Sequence, residues 1–375
     1  PGGGLGLDAA WRVTSQGHSV ITTVPTSRWD VGPVELLAAG DVVLHRASHG
    51  GFVCGAELLD HSFFGVSRAE AGAMDPQQRL LLEHGYAALH AAGLGRHRLE
   101  GSLTGVFVGV ENHDFDQVLA ASPLGRSVYA ATGSNLSIAA GRLSYVLGLQ
   151  GPCAAFATAC SAALTAGHSA LRALQRGECS TSLVSGVSMM LTPPGRCGGA
   201  GAGVRAARGR GRPCDGRADG YVRAEACGSA TMGVSELAVH VLGSTVRQDG
   251  RSASLTAPNG QAQVGLLRAS YADACVAAEA VASVEAHGTG TALGDPIETG
   301  SLAQAVLCSG EGSAQALGSV KANAGHSEPA AGIMGLSTLA LRLARGSVSP
   351  NAQLRVANAH VNDALRGVQC CLPVQ

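Results

Sequence analysis

Three short stretches carry the residue types that could do chemistry. The first, AAFATACSAALTAGHSALRALQRG (154–177), is a short apolar run ending at Cys160 and followed at once by a helical pattern. In that pattern Ala163, Leu164, Leu171 and Leu174 recur, and Arg176 with Gly177 closes the helix. Ala154, Ala155 and Phe156 suit a buried strand, so Cys160 is expected on the turn where a strand becomes a helix. A thiol there faces the positive end of a helix dipole and unpaired backbone N–H groups, which favour the thiolate and can bind an oxyanion. Small neighbours, Ala159, Ser161 and Ala162, leave room for a substrate. Free cysteine is also among the most buried residue types, so a structural thiol is the competing reading.

The second stretch, EAHGTGTALGDPIE (285–298), puts His287 after a short apolar run and beside Gly288, Thr289, Gly290 and Thr291. The glycines let the backbone approach a ligand closely, and the threonines offer two hydroxyls. The third, GSVKANAGHSEPAAG (318–332), places Lys321, His326 and Glu328 in one turn-rich segment, where a cation, an imidazole and a carboxylate can fix the histidine's protonation. A lone histidine in such a place is usually a satisfied structural one. One cysteine with histidines could also describe a cysteine protease, but that plan needs one base and a carboxyl or amide orienter. Two histidines in separate glycine-flanked loops point instead to two hydrogen-bond donors aimed at one carbonyl or carboxylate.

The elements that must position these residues follow from apolar periodicity. A helical patch surrounds Trp11, and Ser19–Val24 reads as a strand. Met74–Gly93 reads as a helix started by Asp75 and Pro76, Leu103–Val110 as a buried strand, and Ser137–Val146 as a helix with a glycine inside. In the second half, Ala238–Arg247 is expected as a strand, Gln261–Ala280 as a helix and Val281–Ala286 as a strand. Ser301–Leu307 follows as a helix, Ala316–Val320 as a short strand and Ala330–Arg345 as a long helix. Strands alternating with helices imply parallel sheets covered by helices, with chemistry at the carboxyl ends of strands. Cys160, His287 and His326 each follow a short apolar run, so all three could converge on one face.

Composition narrows the class. The chain has 375 residues, 46% hydrophobic and 14% charged, enough to bury a large core and too apolar for a disordered polymer. Lys+Arg 26 against Asp+Glu 27 leaves no bulk electrostatic case for nucleic acid or membrane binding. The 11 cysteines are an odd number without C-x-x-C spacing, which argues against zinc or a disulfide framework and for a reducing compartment. No apolar run approaches a membrane span and no signal-peptide pattern is visible, so a cytoplasmic or plastid setting is expected. The first residue is Pro1 rather than Met, which suggests a piece of a longer sequence. From Gly195 to Arg212 the chain runs GRCGGAGAGVRAARGRGR, expected as a solvated loop, with a docking patch for an acidic partner as the alternative.

The sequence resembles the β-ketoacyl synthase family, and within it the ketosynthase domains of modular and iterative polyketide synthases. The resemblance is carried by MDPQQRLLLE (74–83), YAATGSNLSIAAGRLSYVLGLQGP (129–152), TACSAAL (158–164), ADGYVRAEACG (218–228), LTAPNGQAQ (255–263), EAHGTGTALGDPIE (285–298) and SVKANAGHSEPAAG (319–332), in family order over nearly the whole chain. It implies an α/β thiolase-like fold of two similar halves in five α-β-α-β-α layers, residues 1–235 carrying Cys160 and residues 236–375 carrying His287 and His326, in an obligate homodimer. It also implies that the family's first strand and its closing glycine-rich segment lie outside these residues. Alone, the piece would then be less stable and less active than one extended at both ends.

By the same resemblance Cys160 is the nucleophile that takes an acyl chain from a carrier-protein phosphopantetheine thioester. His287 and His326 assist loss of CO2 from a malonyl extender and stabilise the enolate. Lys321, paired with Glu328, positions His326, and Thr289 and Thr291 hydrogen-bond the pantetheine arm. The product is a β-ketoacyl chain longer by two carbons, in polyketide or fatty-acyl synthesis. No metal or diffusible cofactor is expected, since the pantetheine belongs to the acyl carrier protein, and acyltransferase and other synthase domains are the further expected partners. A condensation-incompetent relative acting as a chain-length or gatekeeping partner is the alternative. A biosynthetic thiolase would need a second cysteine in a late glycine loop, and none is present. Departures from the family pattern are Ala157 where an aspartate is usual, Ala162 and Ala163 where hydroxyl residues are frequent, and Cys214 where relatives carry an aromatic. Gly195–Arg212 stands where relatives carry an apolar, phenylalanine-containing stretch along the acyl pocket.

Overall fold

The computed structural model describes residues 6–30, 46–193, 205–207, 209–233, 239–307 and 314–374. The elements that position the site are helix α1 (Leu7–Ser15), the short pair β1 (Thr22–Thr23) and β2 (His49–Gly50), α2 (Pro76–Ala91), β3 (Thr104–Gly109), α3 (Leu136–Leu147), β4 (Cys153–Phe156), α4 (Ala162–Gln175), β5 (Thr181–Ser188) and β6 (Ala226–Gly233). The second half supplies α5 (Gly260–Ala274), β7 (Ser283–Glu285), α6 (Gly294–Ala305), β8 (Gln315–Gly318), α7 (Lys321–Ala324), α8 (Ala331–Arg345) and β9 (Cys370–Cys371).

The first sheet has the order β4-β3-β5-β6, parallel except for the antiparallel β5–β6 pair. The second, β7-β8-β9, is parallel throughout. Helices α2 and α3 cover the outer face of the first sheet, α4 and α8 lie on its inner face, and α8 also reaches β7 of the second sheet. Helices α5 and α6 pack together, and Leu302 and Leu267 join a core with Leu317 and Ala286 on the second sheet's far side. The result is the layered α-β-α-β-α plan that parallel sheets require, since each of their faces must be covered.

Local signals account for the main elements. Asp75 caps α2 by accepting the Gln77 N–H at 2.8 Å, and Pro76 occupies the first helical position, where its missing N–H costs nothing. Asn135 caps α3, and Gly148 ends it in the left-handed conformation. Leu81, Leu82, Leu89, Val106, Val108 and Leu143 are fully buried between α2, α3 and β3. Gly109, the last residue of β3, is required by close approach, because a Cβ there would come 2.7 Å from the Ala163 Cα at the start of α4. Gly186 on β5 likewise faces the Ala163 methyl, at 2.9 Å from a Cβ built there. Ala162 and Ala163, where hydroxyl residues were the expectation, are thus small, buried contacts that let α4 sit directly on the sheet.

Several expected elements differ. Residues 154–156 do form a strand, but its residues alternate exposed and half-buried, because β4 is the outer strand of its sheet. The strand expected at Ala238–Arg247 is not formed: residues 239–250 are irregular, and 234–238 lie outside the described residues. The Ser244 N–H is taken by Asp273 and its C=O by Arg172, at 2.8 and 2.9 Å, so side chains of α5 and α4 satisfy this backbone in place of a neighbouring strand. Helix α5 stops at Ala274 because Cys275 turns left-handed at φ 53°, and Ala278–Ala280 is a separate 3-10 turn. Helix α6 starts at Gly294, seven positions before the expected Ser301, and the strand expected at Ser19–Val24 shrinks to β1.

Much of the Gly195–Arg212 stretch lies outside the described residues. Its described part is mostly packed, with Arg210 exposed: Arg205 and Ala206 are buried, and the Ala206 N–H donates to the Tyr221 C=O at 2.9 Å. Among the described residues no helix is long and apolar enough to cross a membrane.

Candidate active site

Cys160 sits where the residue pattern put it, between β4 and α4, in a 3-10 turn over Ala159–Ser161. The residue before it, Ala159, is held at φ 51°, in a region that non-glycine residues rarely adopt. This local strain sets the thiol at the head of α4 and is sustained by the surrounding packing. Ser161 braces the turn by donating to the Thr158 C=O at 2.7 Å.

The two histidines come from the other half. His287 follows β7, and its N–H and that of Gly288 donate to the two oxygens of Glu298 at 2.6 and 2.8 Å. Gly288 lies at φ 41°, and a Cβ there would come 2.7 Å from Ser319 Cβ, so this loop rests directly on the end of β8. His326 is pinned as a strand would be: its N–H donates to the Val222 C=O at 2.7 Å, and its C=O accepts from the Ala224 N–H at 2.8 Å. The Tyr221 ring packs edge-on against its imidazole at 5.1 Å between centroids.

Ligating atoms of Cys160, His287 and His326 lie within 4.8 Å of one another, and the two imidazoles meet edge to face at 5.4 Å. Cys160 is half-buried, His326 buried and His287 open to solvent. The three donors are of a type that suits zinc, but a dication there would meet the nearby Lys321 amine, which already disfavours positive charge on both rings.

Electrostatics set the resting state. Burial holds His326 well below the usual imidazole range, with the charges of Lys321, His287 and Arg223 acting in the same direction. His287 is lowered by desolvation among its neighbours first and by Lys321 second, which favours the neutral ring at pH 7. The Glu328 N–H donates to His326 Nδ1 at 3.2 Å, so the proton of that neutral ring belongs on Nε2. The Cys160 thiol departs from the expected easy thiolate. Burial pushes it up, and its own backbone N–H and Lys321 only partly oppose this. A helix start favours the anion, but a desolvated sulfur at that start still favours the thiol.

The expected pairing of Lys321 with Glu328 is not formed. Glu328 pairs with Arg223 at 2.6 Å, while Lys321 is buried at the head of α7 with Glu285, Glu298 and Asp295 as the carboxylates favouring its charge. The reason is backbone geometry: Glu328 is held at φ 45°, which aims its N–H at the His326 ring and leaves its carboxylate to Arg223. Glu328 therefore acts on His326 through its main chain. Thr289 and Thr291 are half-buried two residues apart, their hydroxyls 3.2 Å from each other, and Thr291 Oγ1 also accepts the Gly294 N–H.

Sequence reasoning missed four supports of the site. Glu298 holds the His287 loop, and Asp295 accepts the Gly290 and Cys214 N–H groups at 3.0 and 2.8 Å. Arg223 holds Glu328. Glu225, fully buried, takes a two-pronged bond from Arg28 together with the Val53 and Met190 N–H groups. The acidic residues of GDPIE and the VRAE run were visible as charged residues inside apolar surroundings, which is the signal for buried, paired groups.

A half-buried cysteine at a helix start thus faces two imidazoles from the opposite half, on five alternating layers. The chain belongs to the β-ketoacyl synthase family: residues 1–233 match the Beta-ketoacyl synthase, N-terminal domain, and residues 238–355 the Beta-ketoacyl synthase, C-terminal domain. Its relatives are ketosynthases of the polyketide synthase type, with the thiolase-like fold. It is 41% identical over 376 residues to a phenolphthiocerol/phthiocerol polyketide synthase protein of Mycobacterium tuberculosis, covering 97% of this chain and 24% of that protein. With the spectinabilin polyketide synthase system protein NorA' of Streptomyces orinoci it shares 42% identity over 361 residues, covering 92% of this chain and 10% of that one. The chain thus spans a quarter or less of these relatives' length. Among solved structures, the oxazolomycin ketosynthase domain from Streptomyces albus superposes with a TM-score of 0.89 at 31% identity, covering 98% of this chain and 65% of that one. The ketosynthase from module 6 of the bacillaene synthase of Bacillus subtilis gives 0.82 at 30%, covering 96% and 62%.

Proposed function

We propose that this chain extends a carrier-bound acyl chain by decarboxylative Claisen condensation, with Cys160, His287 and His326 as the reacting and stabilising groups. The observation that carries the reading is the convergence of one thiol and two imidazoles within 4.8 Å. Cys160 Sγ attacks the thioester carbonyl of an acyl chain borne on a carrier protein's phosphopantetheine. The C–S bond to Cys160 forms, the bond to the pantetheine sulfur breaks, and the proton of the Cys160 thiol ends on the departing thiol. The exchange consumes no net base, because the proton lost by one thiol is gained by the other. A malonyl thioester then takes the carrier's place. Its C–CO2 bond breaks, and the electron pair passes into an enolate whose oxygen is met by N–H groups of His287 and His326. The enolate carbon attacks the Cys160 thioester, releasing the sulfur and leaving a β-ketoacyl chain two carbons longer on the carrier.

Two neutral donors suit this step better than two imidazolium ions, because a proton transferred outright to the enolate would quench it before condensation. Thr289 and Thr291, two and four residues beyond His287, are the hydroxyls we assign to the pantetheine arm. The carrier protein supplies that arm, so the chain needs no diffusible cofactor of its own.

The test is intact-mass spectrometry with acyl-loaded carrier protein, followed by addition of malonyl-loaded carrier. The expected record is an acyl group on Cys160 that disappears as a two-carbon-longer β-ketoacyl carrier forms. An acyl-Cys160 that never condenses would sink the chain-extending role.

We further propose a homodimer with other synthase domains nearby. Among the described residues β4 is one of the two edge strands of its sheet, with Cys153, Ala155 and Ala157 exposed, a ready place for a second copy to add its own strand. Light scattering is expected to give twice the mass of the chain; a monomer at micromolar concentration would remove this element.

A further inference from the structure

Two buried charged side chains, Glu285 and Arg342, are left over once the thiol and the imidazoles have roles. Glu285 closes β7 two residues before His287, and Arg342 lies on α8, the helix that follows His326. Arg342 Nη1 and Glu285 Oε2 are 2.9 Å apart, and each side chain is only 5% exposed. A hydrocarbon pair of the same volume would be as stable or more so, since burying both charges costs solvation that their attraction seldom outweighs. The charges therefore call for a role beyond packing.

The geometry around them supplies one. The other carboxylate oxygen, Oε1, accepts the N–H of Val320 at 2.5 Å, so Glu285 grips the residue next to Lys321. Ser319 continues the seam: its N–H donates to Asn351 Oδ1 at 3.0 Å and its hydroxyl to the Gly288 C=O at 3.1 Å. The His287 loop and the Lys321 segment are thus tied at a few points, with the Glu285 carboxylate at the centre and Arg342 holding it from behind. Space is reserved for the pair by two glycines. A Cβ on Gly318 would come 3.0 Å from Arg342 Nη2, and one on Gly335 3.3 Å from Glu285 Cγ. Glu285 is also foremost among the carboxylates that favour charge on Lys321.

We propose that Arg342 and Glu285 are positioning residues that lock the strand end carrying His287 to the Lys321–His326 segment at the spacing the two imidazoles require. Acyl capture at Cys160, which sits on the other half, does not depend on them. The inference rests on the chain-extending reading given above.

The test compares Arg342→Met, Arg342→Lys and the charge-free double variant Glu285→Gln with Arg342→Met, each in the intact chain. In Arg342→Met the kcat for malonyl-carrier decarboxylation is expected to fall roughly 10- to 100-fold, the scale of a small misplacement of reacting groups. KM for the malonyl carrier and the rate of Cys160 acylation are expected to stay within about 2-fold. Arg342→Lys should recover most of the lost rate. The double variant has no lone buried carboxylate to unfold it, and the same selective loss is expected there. Substrate-free NMR of the ring nitrogens should show the His287 and His326 signals moving in the double variant while the other histidines hold.

Ring signals that do not move in the folded double variant overturn the proposal. So does a parallel fall of acylation and decarboxylation, and so does a double variant that cannot fold, because the pair would then hold the fold rather than the site. Should the unaltered chain fail to decarboxylate while the ring signals respond, the chain-extending reading fails and the positioning role stands.

Discussion

Cys160→Ala is expected to abolish acyl capture and to lower condensation by roughly 10⁴-fold or more, the scale seen when a covalent nucleophile is removed. Intact-mass spectrometry with acyl-loaded carrier should show no adduct. Malonyl-carrier decarboxylation should persist, because His287 and His326 are fixed by contacts that do not involve Cys160: the Glu298 carboxylate for one, the Val222 and Ala224 backbone for the other. A variant that still condenses would show that Cys160 is not the acyl carrier. The unaltered thiol should also report its environment. Burial pushes it up, so alkylation by iodoacetamide is expected to keep rising with pH through and beyond the range of an ordinary cysteine instead of levelling off early. An early plateau would mean that Lys321 and the helix start outweigh desolvation.

His326→Ala is expected to leave acylation of Cys160 intact and to lower decarboxylation and condensation by roughly 10²- to 10³-fold, the usual cost of removing one donor to a developing oxyanion. With Nδ1 occupied by the Glu328 N–H, the ring's contribution is a donated Nε2–H. His326→Gln, which keeps an N–H donor, should therefore recover part of the rate. The pH dependence separates this role from that of an acid. Desolvation by their neighbours and the Lys321 charge keep both rings below their ordinary value of ~6.5. Each ring therefore stays neutral as the pH falls through that value, and the decarboxylation rate of the unaltered chain should show no histidine-like break there. A break would identify a ring that is protonated in the working enzyme, and with it a different catalytic step.

The residue pattern alone singled out the three side chains that the fold brings together. A cysteine between an apolar run and a helix, and two histidines each flanked by glycines, are local signals, and the helices and strands around them were legible for the same reason. Asp75 with Pro76, the apolar run along 103–110 and the long apolar stripe of 330–345 depend only on neighbours a few positions away, and α2, β3 and α8 formed accordingly. Signals of that kind survive folding because capping, propensity and periodicity act over one or two turns.

What they could not convey is which long-range partner each charged group finds. Lys321 and Glu328 lie seven positions apart and were expected to pair. The fold gave Glu328 to Arg223, 105 residues away, and set Lys321 among Glu285, Glu298 and Asp295. The strand expected at 238–247 differs for a related reason: a strand exists only if a neighbour takes its backbone bonds, and over the described residues 239–247 those of Ser244 go to Asp273 and Arg172. The thiol's acidity was misjudged because the pattern places Cys160 at a helix start but says nothing of the packing that desolvates it. Sequence thus determined the identity of the candidate groups and their local geometry. Tertiary structure decided their partners, their protonation and their spacing, because burial and charge pairing depend on surfaces brought together from opposite halves of the chain.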